Sequence, residues 1–242
     1  MKEKNSVGDY LAMLKKRKEN EQIAKYGHIL TPEEEIKKEQ EEKQKKAIEQ
    51  EQHRQLNIER KVKEWIFKVP KRYKTATFDS FNIENQGQRN IINYMKQGRS
   101  LILGGKNGTG KTHLAFASCL YQIKKGKTAQ YILASDFFDK VRNSFSTHDI
   151  DNLIKEYCKY DYLVLDEMDK TQDSRTEFVY LSVLINARYN EMLSTVLMTN
   201  AETSEIPKLL GGSVVDRIAG EGRLMEITAI ESYRLKDEEV PF

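Results

Sequence analysis

Residues 104–113 read GGKNGTGKTH. Gly105-Lys106-Asn107-Gly108-Thr109-Gly110-Lys111-Thr112 has the spacing G-x-x-x-x-G-K-[ST], and His113 follows directly. Glycines so placed let successive backbone N–H groups turn toward one anion, and a helix opening just after them adds its positive end. The Lys111 ammonium suits terminal phosphates and the Thr112 hydroxyl suits Mg²⁺. The chemistry expected of Gly105 to His113 is therefore binding of a nucleoside triphosphate, ATP with Mg²⁺.

A second constellation is YLVLDE, an apolar run ending in Asp166 and Glu167. An aspartate emerging from a buried strand can hold the metal through its water shell. A glutamate beside it can orient or deprotonate an attacking water. The adjacent pair points to hydrolysis rather than transfer to a small acceptor. Asn200 closes TVLMTN, where a strand-end amide can contact the attacking water or the γ-phosphate.

These groups require a scaffold that brings several strand ends to one edge. The apolar runs SLILGG, TAQYILAS, YLVLDE, TVLMTN and RLMEIT alternate with helical patterns. That alternation predicts an α/β fold with a largely parallel sheet and helices on both faces. HLAFASCLYQI supplies the helix after the glycine loop. The composition changes near residue 70, where Pro70 and aromatic residues begin, so the nucleotide-binding domain is expected over 71–242.

The preceding third is different. In SVGDYLAMLKKRKENEQIAKYG, Val7, Tyr10, Leu11 and Leu14 have helical spacing, Ser6 with Asp9 can cap the start, and Gly27 suits the end. This stripe, in a segment assigned to 1–30, rests either on the protein's own core or in another protein's groove. Residues 31–70 begin with Thr31, Pro32 and Glu34, a full helix-start signal. They continue with Glu33–Lys37, Glu34–Lys38, Glu39–Lys43, Glu41–Lys45, Glu42–Lys46 and Glu59–Lys63 at i,i+4. Between Ile36 and Ala47 no apolar residue occurs, so a solvated helical rod is expected.

Charged residues are 32% of the 242, yet 40 Lys+Arg against 37 Asp+Glu leave a net charge of only +3. No global field therefore demands a nucleic-acid partner, although local basic grooves stay possible. Cys119 and Cys158 lie among apolar neighbours without a CxxC or Cys/His cluster, which fits reduced core thiols of a cytosolic protein. Neither a membrane-length apolar run nor an apolar signal core is present, so no membrane partner is expected.

Glycine loop, apolar strand with Asp-Glu, polar strand end and late Asp-Arg, in that order, resemble the AAA+ ATPases. The likeness is most specific to DnaC-type replicative helicase loaders of the DnaC/IstB-like group. It rests on GKNGTGKTHLA, LVLDEMDKTQDSRTEF, MTN and KLLGGSVVDRIAGEGRLMEITAIESYR, with VGDYLAMLKKR and TFDSFNIENQGQRN also similar. The resemblance implies that Arg217 is an arginine finger reaching a neighbouring subunit's γ-phosphate and that Arg234 is a second sensor. About fifteen residues follow the last expected strand, so no C-terminal helical lid is expected and Arg234 would act from the tail.

It also implies a helical insertion after the second strand, ASDFFDKVRNSFSTHDIDNLIKEYC. There Lys140, Arg142 and Phe145 would face single-stranded DNA, combining charge with a stacking ring. The resemblance associates the positions of Phe145 and, further along the chain, Ser174 with that contact, and Thr176 stands where an aromatic residue is expected. Phe137 and Phe138, directly after a strand, read as core. Tyr10, Leu11 and Leu14 become the face that grips a hexameric, DnaB-like replicative helicase, and the ATPase domains assemble into an oligomeric spiral. Two other readings stay open: an IstB-like transposition helper ATPase, and a nucleotide-binding adapter with little hydrolysis.

Overall fold

The computed structural model describes residues 7–147, 149–170 and 175–229. The chain forms two compact units that divide between Leu56 and Asn57. The first holds helix α1 (Val7–Tyr26) and the leading part of helix α2 (Pro32–Lys68). The start of α2 is a reciprocal cap: the Thr31 N–H donates to Glu34 Oε2 at 2.9 Å and the Glu34 N–H donates to Thr31 Oγ1 at 3.3 Å. Gly27 ends α1 at φ 82°, its N–H donating to the Ile23 carbonyl at 2.9 Å. The cap expected at Ser6 lies outside the described residues.

The charged stretch of α2 is exposed, as its composition requires, but α1 runs beside it. Lys18 and Gln22 reach Glu35, while Lys25 and Tyr26 reach Glu42. Of the spaced pairs read from sequence, Lys43–Glu39 forms at 2.7 Å. Lys38 instead meets Glu41 at 3.7 Å, and Glu42 pairs with Lys25. Tyr10, Leu11 and Leu14 remain on the surface, at 60%, 60% and 43% exposure.

In the second unit the last turns of α2 bury Ile58 and Trp65. A short 3₁₀ turn (Lys71–Tyr73) and helix α3 (Gln86–Lys96) follow, with the Asn85 side chain accepting from the Gln88 N–H. The chain then alternates strand and helix. Strand β1 (Leu101–Gly104), helix α4 (Lys111–Lys124), strand β2 (Ala129–Leu133), helices α5 (Ala134–Thr147) and α6 (Ile150–Tyr157) and strand β3 (Tyr162–Asp166) come first. Helix α7 (Arg175–Asn190), strand β4 (Ser194–Met198), helices α8 (Ile206–Leu210) and α9 (Gly212–Glu221) and strand β5 (Arg223–Glu226) complete it.

Among the described residues five strands form one sheet in the order β2-β3-β4-β1-β5, every pair parallel. Each strand coincides with a run expected from sequence. Side chains alternate between two cores. Leu101, Leu103, Val164, Val196 and Met198 pack with α3, α4 and the end of α2. Ile102, Leu163, Leu165 and Leu197 pack with α5 to α9, and Phe137 and Phe138 are buried in that second layer. Cys119 and Cys158 are free thiols. No described helix is long and apolar enough to cross a membrane.

This order decides where chemistry can occur. Strand β4 lies between β1 and β3, so the glycine loop after β1, Asp166 at the end of β3 and Asn200 just past β4 emerge side by side on one edge. Ligands of open parallel sheets bind at that carboxyl edge.

Candidate active site

The loop after β1 needs its glycines. Gly105 has φ 139°, and a Cβ there would lie 2.3 Å from the Ile227 carbonyl oxygen, because the chain after β5 closes against the loop. Gly110, at φ 89°, turns the chain into α4. Thr109 is buried and its hydroxyl donates to the Lys106 carbonyl at 2.9 Å. The Lys111 ammonium folds over the loop, donating to the Gly105 and Lys106 carbonyls at 2.5 and 2.8 Å. The loop thus holds a cation at the point where helix dipole and backbone amides converge.

Asp166, only 2% exposed, faces the loop. Its Oδ2 accepts from Thr112 Oγ1 at 2.9 Å and from the Tyr131 hydroxyl at 3.2 Å, and its Oδ1 accepts from the Glu167 N–H at 2.8 Å. Burial pushes this carboxyl above the ordinary aspartate range, and the Thr112, Glu167 and Tyr131 donors offset part of that rise. A hydroxyl and a carboxylate in contact are the hard oxygen donors Mg²⁺ takes when it shares a site with phosphates. Among the described residues no group of three or more His, Cys, Asp or Glu side chains is arranged to hold a metal ion by itself.

Glu167 stands in the left-handed region at φ 59°, a conformation that costs energy for a non-glycine residue and recurs at functional sites. It turns the chain sharply after β3, and Lys170 pairs with its Oε1 at 2.8 Å. Asn200 is held by Asp169, whose Oδ1 accepts from the Asn200 N–H at 2.6 Å and whose Oδ2 accepts from its Nδ2 at 2.8 Å. Thr199 Oγ1 also donates to Asp169, at 3.1 Å.

A cavity of about 410 Å³ joins these groups, lined by Asn107, Gly108, Gly110, Lys111, Thr112, His113, Asp166, Glu167 and Asn200. Its other wall was not read from sequence as a site: Arg72, Tyr73, Ser80, Phe81 and Asn82. His113 fastens that wall. Its Nε2 lies 3.0 Å from the Thr77 carbonyl, which can only accept, so this nitrogen carries the proton there; Ser80 Oγ is 3.2 Å away. An aromatic and polar wall opposite a phosphate cradle is what a nucleoside requires.

Other sequence-predicted residues lie elsewhere. Arg217 stands on α9, where its Nη1 donates to the Ser213 carbonyl at 3.0 Å, and it is not among the described residues lining the cavity. Lys140 donates to the Tyr157 hydroxyl at 3.1 Å and lies over that ring. Arg142 is shared between Asp139 at 2.6 Å and the buried Glu177 at 2.9 Å. Phe145 is 42% exposed and packs on Tyr180. Thr176 is exposed at the start of α7. Ser174 and Arg234 lie outside the described residues.

With this geometry in hand, comparisons place the chain among known proteins. The model of the family described as IstB-like ATP binding protein matches residues 18–240. The replicative helicase loader DnaC of Escherichia coli (strain K12) is 30% identical over 172 residues, which cover 67% of this chain and 70% of that protein. The DnaC loader of Buchnera aphidicola subsp. Acyrthosiphon pisum (strain APS) is 31% identical over 173 residues, with the same coverage. A crystal structure of the DnaC helicase loader superposes with a TM-score of 0.57 at 26% identity, covering 66% of this chain and 100% of that one. The DnaI structure, at 18% identity and a TM-score of 0.58, shares the fold.

Proposed function

Because the chain belongs to the IstB-like ATP-binding family, we propose that it is an ATP-dependent loader of a hexameric replicative helicase, acting in the cytoplasm in DNA replication. The observation that carries this is the convergence of Lys111, Thr112, Asp166, Glu167 and Asn200 on one cavity, in a chain about 30% identical to DnaC loaders.

The roles follow from the chemistry. The loop N–H groups and the start of α4 receive the phosphates, and the Lys111 ammonium exchanges its loop carbonyls for the terminal phosphate oxygens. Thr112 and Asp166 would hold Mg²⁺, which when bound neutralises charge on the phosphate oxygens. Glu167 accepts the proton of the attacking water, with Lys170 fixing one of its oxygens. Asn200, oriented by Asp169, positions that water or the γ-phosphate. Arg217 of a second copy meets the charge that builds up on the γ-phosphate, so the ATPase is slow in an isolated chain.

Occupancy of this site then biases an assembly rather than making a product that matters. The exposed Tyr10, Leu11 and Leu14 face of 1–30 grips the helicase, the 31–70 helix sets the reach, and the 71–242 domain self-associates as a spiral. Single-stranded DNA lies along the α5 region at Lys140, Arg142 and Phe145, with Ser174. Arg234 acts as a second sensor from the tail. Phe145, exposed and backed by Tyr180, is the part of that surface best fitted to stack on a base.

The test is to mix the full chain with purified DnaB-type hexamers, with and without ATP, and to weigh the complexes by native mass spectrometry. A nucleotide-dependent complex of defined stoichiometry is expected. Absence of a complex with every hexamer tried overturns the loader reading. Capture of a transposase in its place favours the transposition helper, the reading that the description of the matching family keeps in play.

A further inference from the structure

Three donors face Asp166: the Thr112 hydroxyl, the Glu167 N–H and the Tyr131 hydroxyl. The first belongs to the phosphate loop and the second is backbone. Tyr131 comes from the middle of β2, paired with Val164 of β3. Its phenol thus reaches, from the neighbouring strand, the same carboxylate oxygen, Oδ2, that the loop's threonine reaches.

The Tyr131 ring does not end there. It packs on Phe116 with ring centres 4.2 Å apart. Phe116 is buried on α4, the helix that opens with Lys111. Its ring also stacks with Tyr73 at 4.8 Å and 17° between planes, and meets Trp65 at 6.2 Å. Tyr73 is a wall of the cavity and Trp65 is buried in the last turns of α2. One buried ring therefore touches the side chain that holds Asp166, a wall of the nucleoside side, and the end of a long helix.

We propose that Tyr131 is a positioning residue for Asp166 and that Phe116 passes the state of the cavity to Trp65 in the last turns of α2. The inference rests on reading the cavity as an ATP site. A metal held at Thr112 and Asp166 would draw on the same carboxylate oxygen, Oδ2, that the Tyr131 hydroxyl holds. A nucleoside contacts Tyr73. Both loads meet at Phe116, and a close-packed interior transmits them rather than absorbing them. The coupling works only because both ligands act on groups that touch the same ring, giving filled and empty states different contacts there.

Trp65 is the sole tryptophan of the chain, so its emission reports the end of α2 in the unlabelled full-length protein. The experiment follows Trp65 emission while ATPγS is added with and without Mg²⁺, for wild type, Tyr131→Phe and Phe116→Leu, with binding measured separately by calorimetry. Wild-type emission should change on nucleotide binding, with a part that requires Mg²⁺. Tyr131→Phe keeps the ring and removes only the hydroxyl, so it should bind ATPγS normally and lose the Mg²⁺-dependent part. Its kcat for ATP should fall about tenfold at unchanged KM, the loss expected for one hydrogen bond to a charged group.

Phe116→Leu should bind nucleotide and lose the whole emission response. The inference is overturned if Tyr131→Phe matches wild type in both emission response and kcat. It falls equally if Phe116→Leu retains the full response, or if wild type binds ATPγS with Trp65 silent. Failure of wild type to bind ATPγS at all overturns the ATP-site reading itself, and this inference with it.

Discussion

Asp169 offers the sharpest test of how the site is built. Its carboxylate takes the Asn200 backbone N–H at 2.6 Å and the Asn200 side-chain amide at 2.8 Å. Hydrogen bonds to a charged group contribute about 1.5–3 kcal/mol each. Asp169 is only half-buried, so the lower end applies, and the two bonds together hold Asn200 by about 3 kcal/mol. Asp169→Ala releases the amide while leaving Lys111, Thr112 and Asp166 untouched. If Asn200 positions the attacking water, the loss falls on turnover, and about 3 kcal/mol corresponds to roughly a hundredfold in kcat. KM should stay close to wild type, since the phosphate cradle is intact. Asp169→Asn, which keeps an acceptor oxygen, should fall between the two.

The same residue carries a pH signature. Burial pushes its carboxyl up, but the Asn200 donors and the Thr199 hydroxyl outweigh burial and hold it below the ordinary value. A depressed folded-state value means that its stabilisation is fully present above the unfolded value of about 4 and is lost as pH falls through the folded one. The melting temperature of wild type should therefore drop below about pH 4 by a component that Asp169→Asn lacks. Steady-state phosphate release gives kcat and KM, and thermal melts across pH give the second readout. A folded Asp169→Ala chain with wild-type kcat would refute the reasoning, because Asn200 would then need no clamp.

Four further outcomes are expected. If Glu167 is the proposed general base, Glu167→Gln should bind ATP as wild type does in calorimetry and lose about 10²–10⁴-fold in phosphate release. On the proposed reading, chains carrying Lys111→Ala and chains carrying Arg217→Ala should each be inactive alone and regain phosphate release when mixed, since one would supply a loop and the other a guanidinium. Leu11→Asp with Leu14→Asp in the full chain should abolish complex formation with the helicase in native mass spectrometry without lowering the melting temperature, both side chains being exposed. Arg188→Leu should destabilise by about 3 kcal/mol or more in urea unfolding, from stranding several buried acceptors. That arginine is wholly buried and donates to Thr195 Oγ1 and to the Tyr157, Tyr160 and Ser194 carbonyls. Burial lowers its guanidinium to about 10, so it remains charged at neutral pH.

What the sequence made legible is what local chemistry decides. The glycine loop is a contiguous stretch whose spacing is its geometry, and the five strands are apolar runs between helices. Asp166 and Glu167 sit at the end of such a run, so their placement followed from the strand alone. What stayed hidden depends on approach between distant segments. Asp169 meets Asn200 only because β3 and β4 are neighbours, and nothing in MDK beside Asp166 announces it. Tyr131 reads as one more strand aromatic until β2 is placed next to β3. The 71–82 wall of the cavity is defined by His113 gripping the Thr77 carbonyl, a contact no spacing rule contains. Charge patterning was legible only in part: Glu39 pairs with Lys43 as spaced, but Glu42, with Lys46 at the favourable spacing, pairs with Lys25 because α1 lies alongside. Arg142 looks like an available cation in sequence, whereas Glu177 and Asp139 hold it in the fold.

The charges around the cavity bear on why a second copy is invoked at all. Arg72 and Lys111 line it, against the carboxylates of Asp166 and Glu167. Those four offset one another, so among the described residues the lining side chains carry no excess of positive charge for a polyanionic triphosphate. A divalent cation held by Thr112 and Asp166 would answer part of the deficit. It does little for charge that develops on the far face of the γ-phosphate as the bond to it loosens. On the proposed reading Lys111 turns from the loop carbonyls to the terminal oxygens, and Arg72 lies on the wall with Tyr73 and Phe81. Arg217 stands outside the cavity lining on α9. On the proposed reading, the missing guanidinium at one site is the Arg217 of another chain. Hydrolysis then becomes a property of the contact between two copies, which makes it usable as a signal that the copies have assembled.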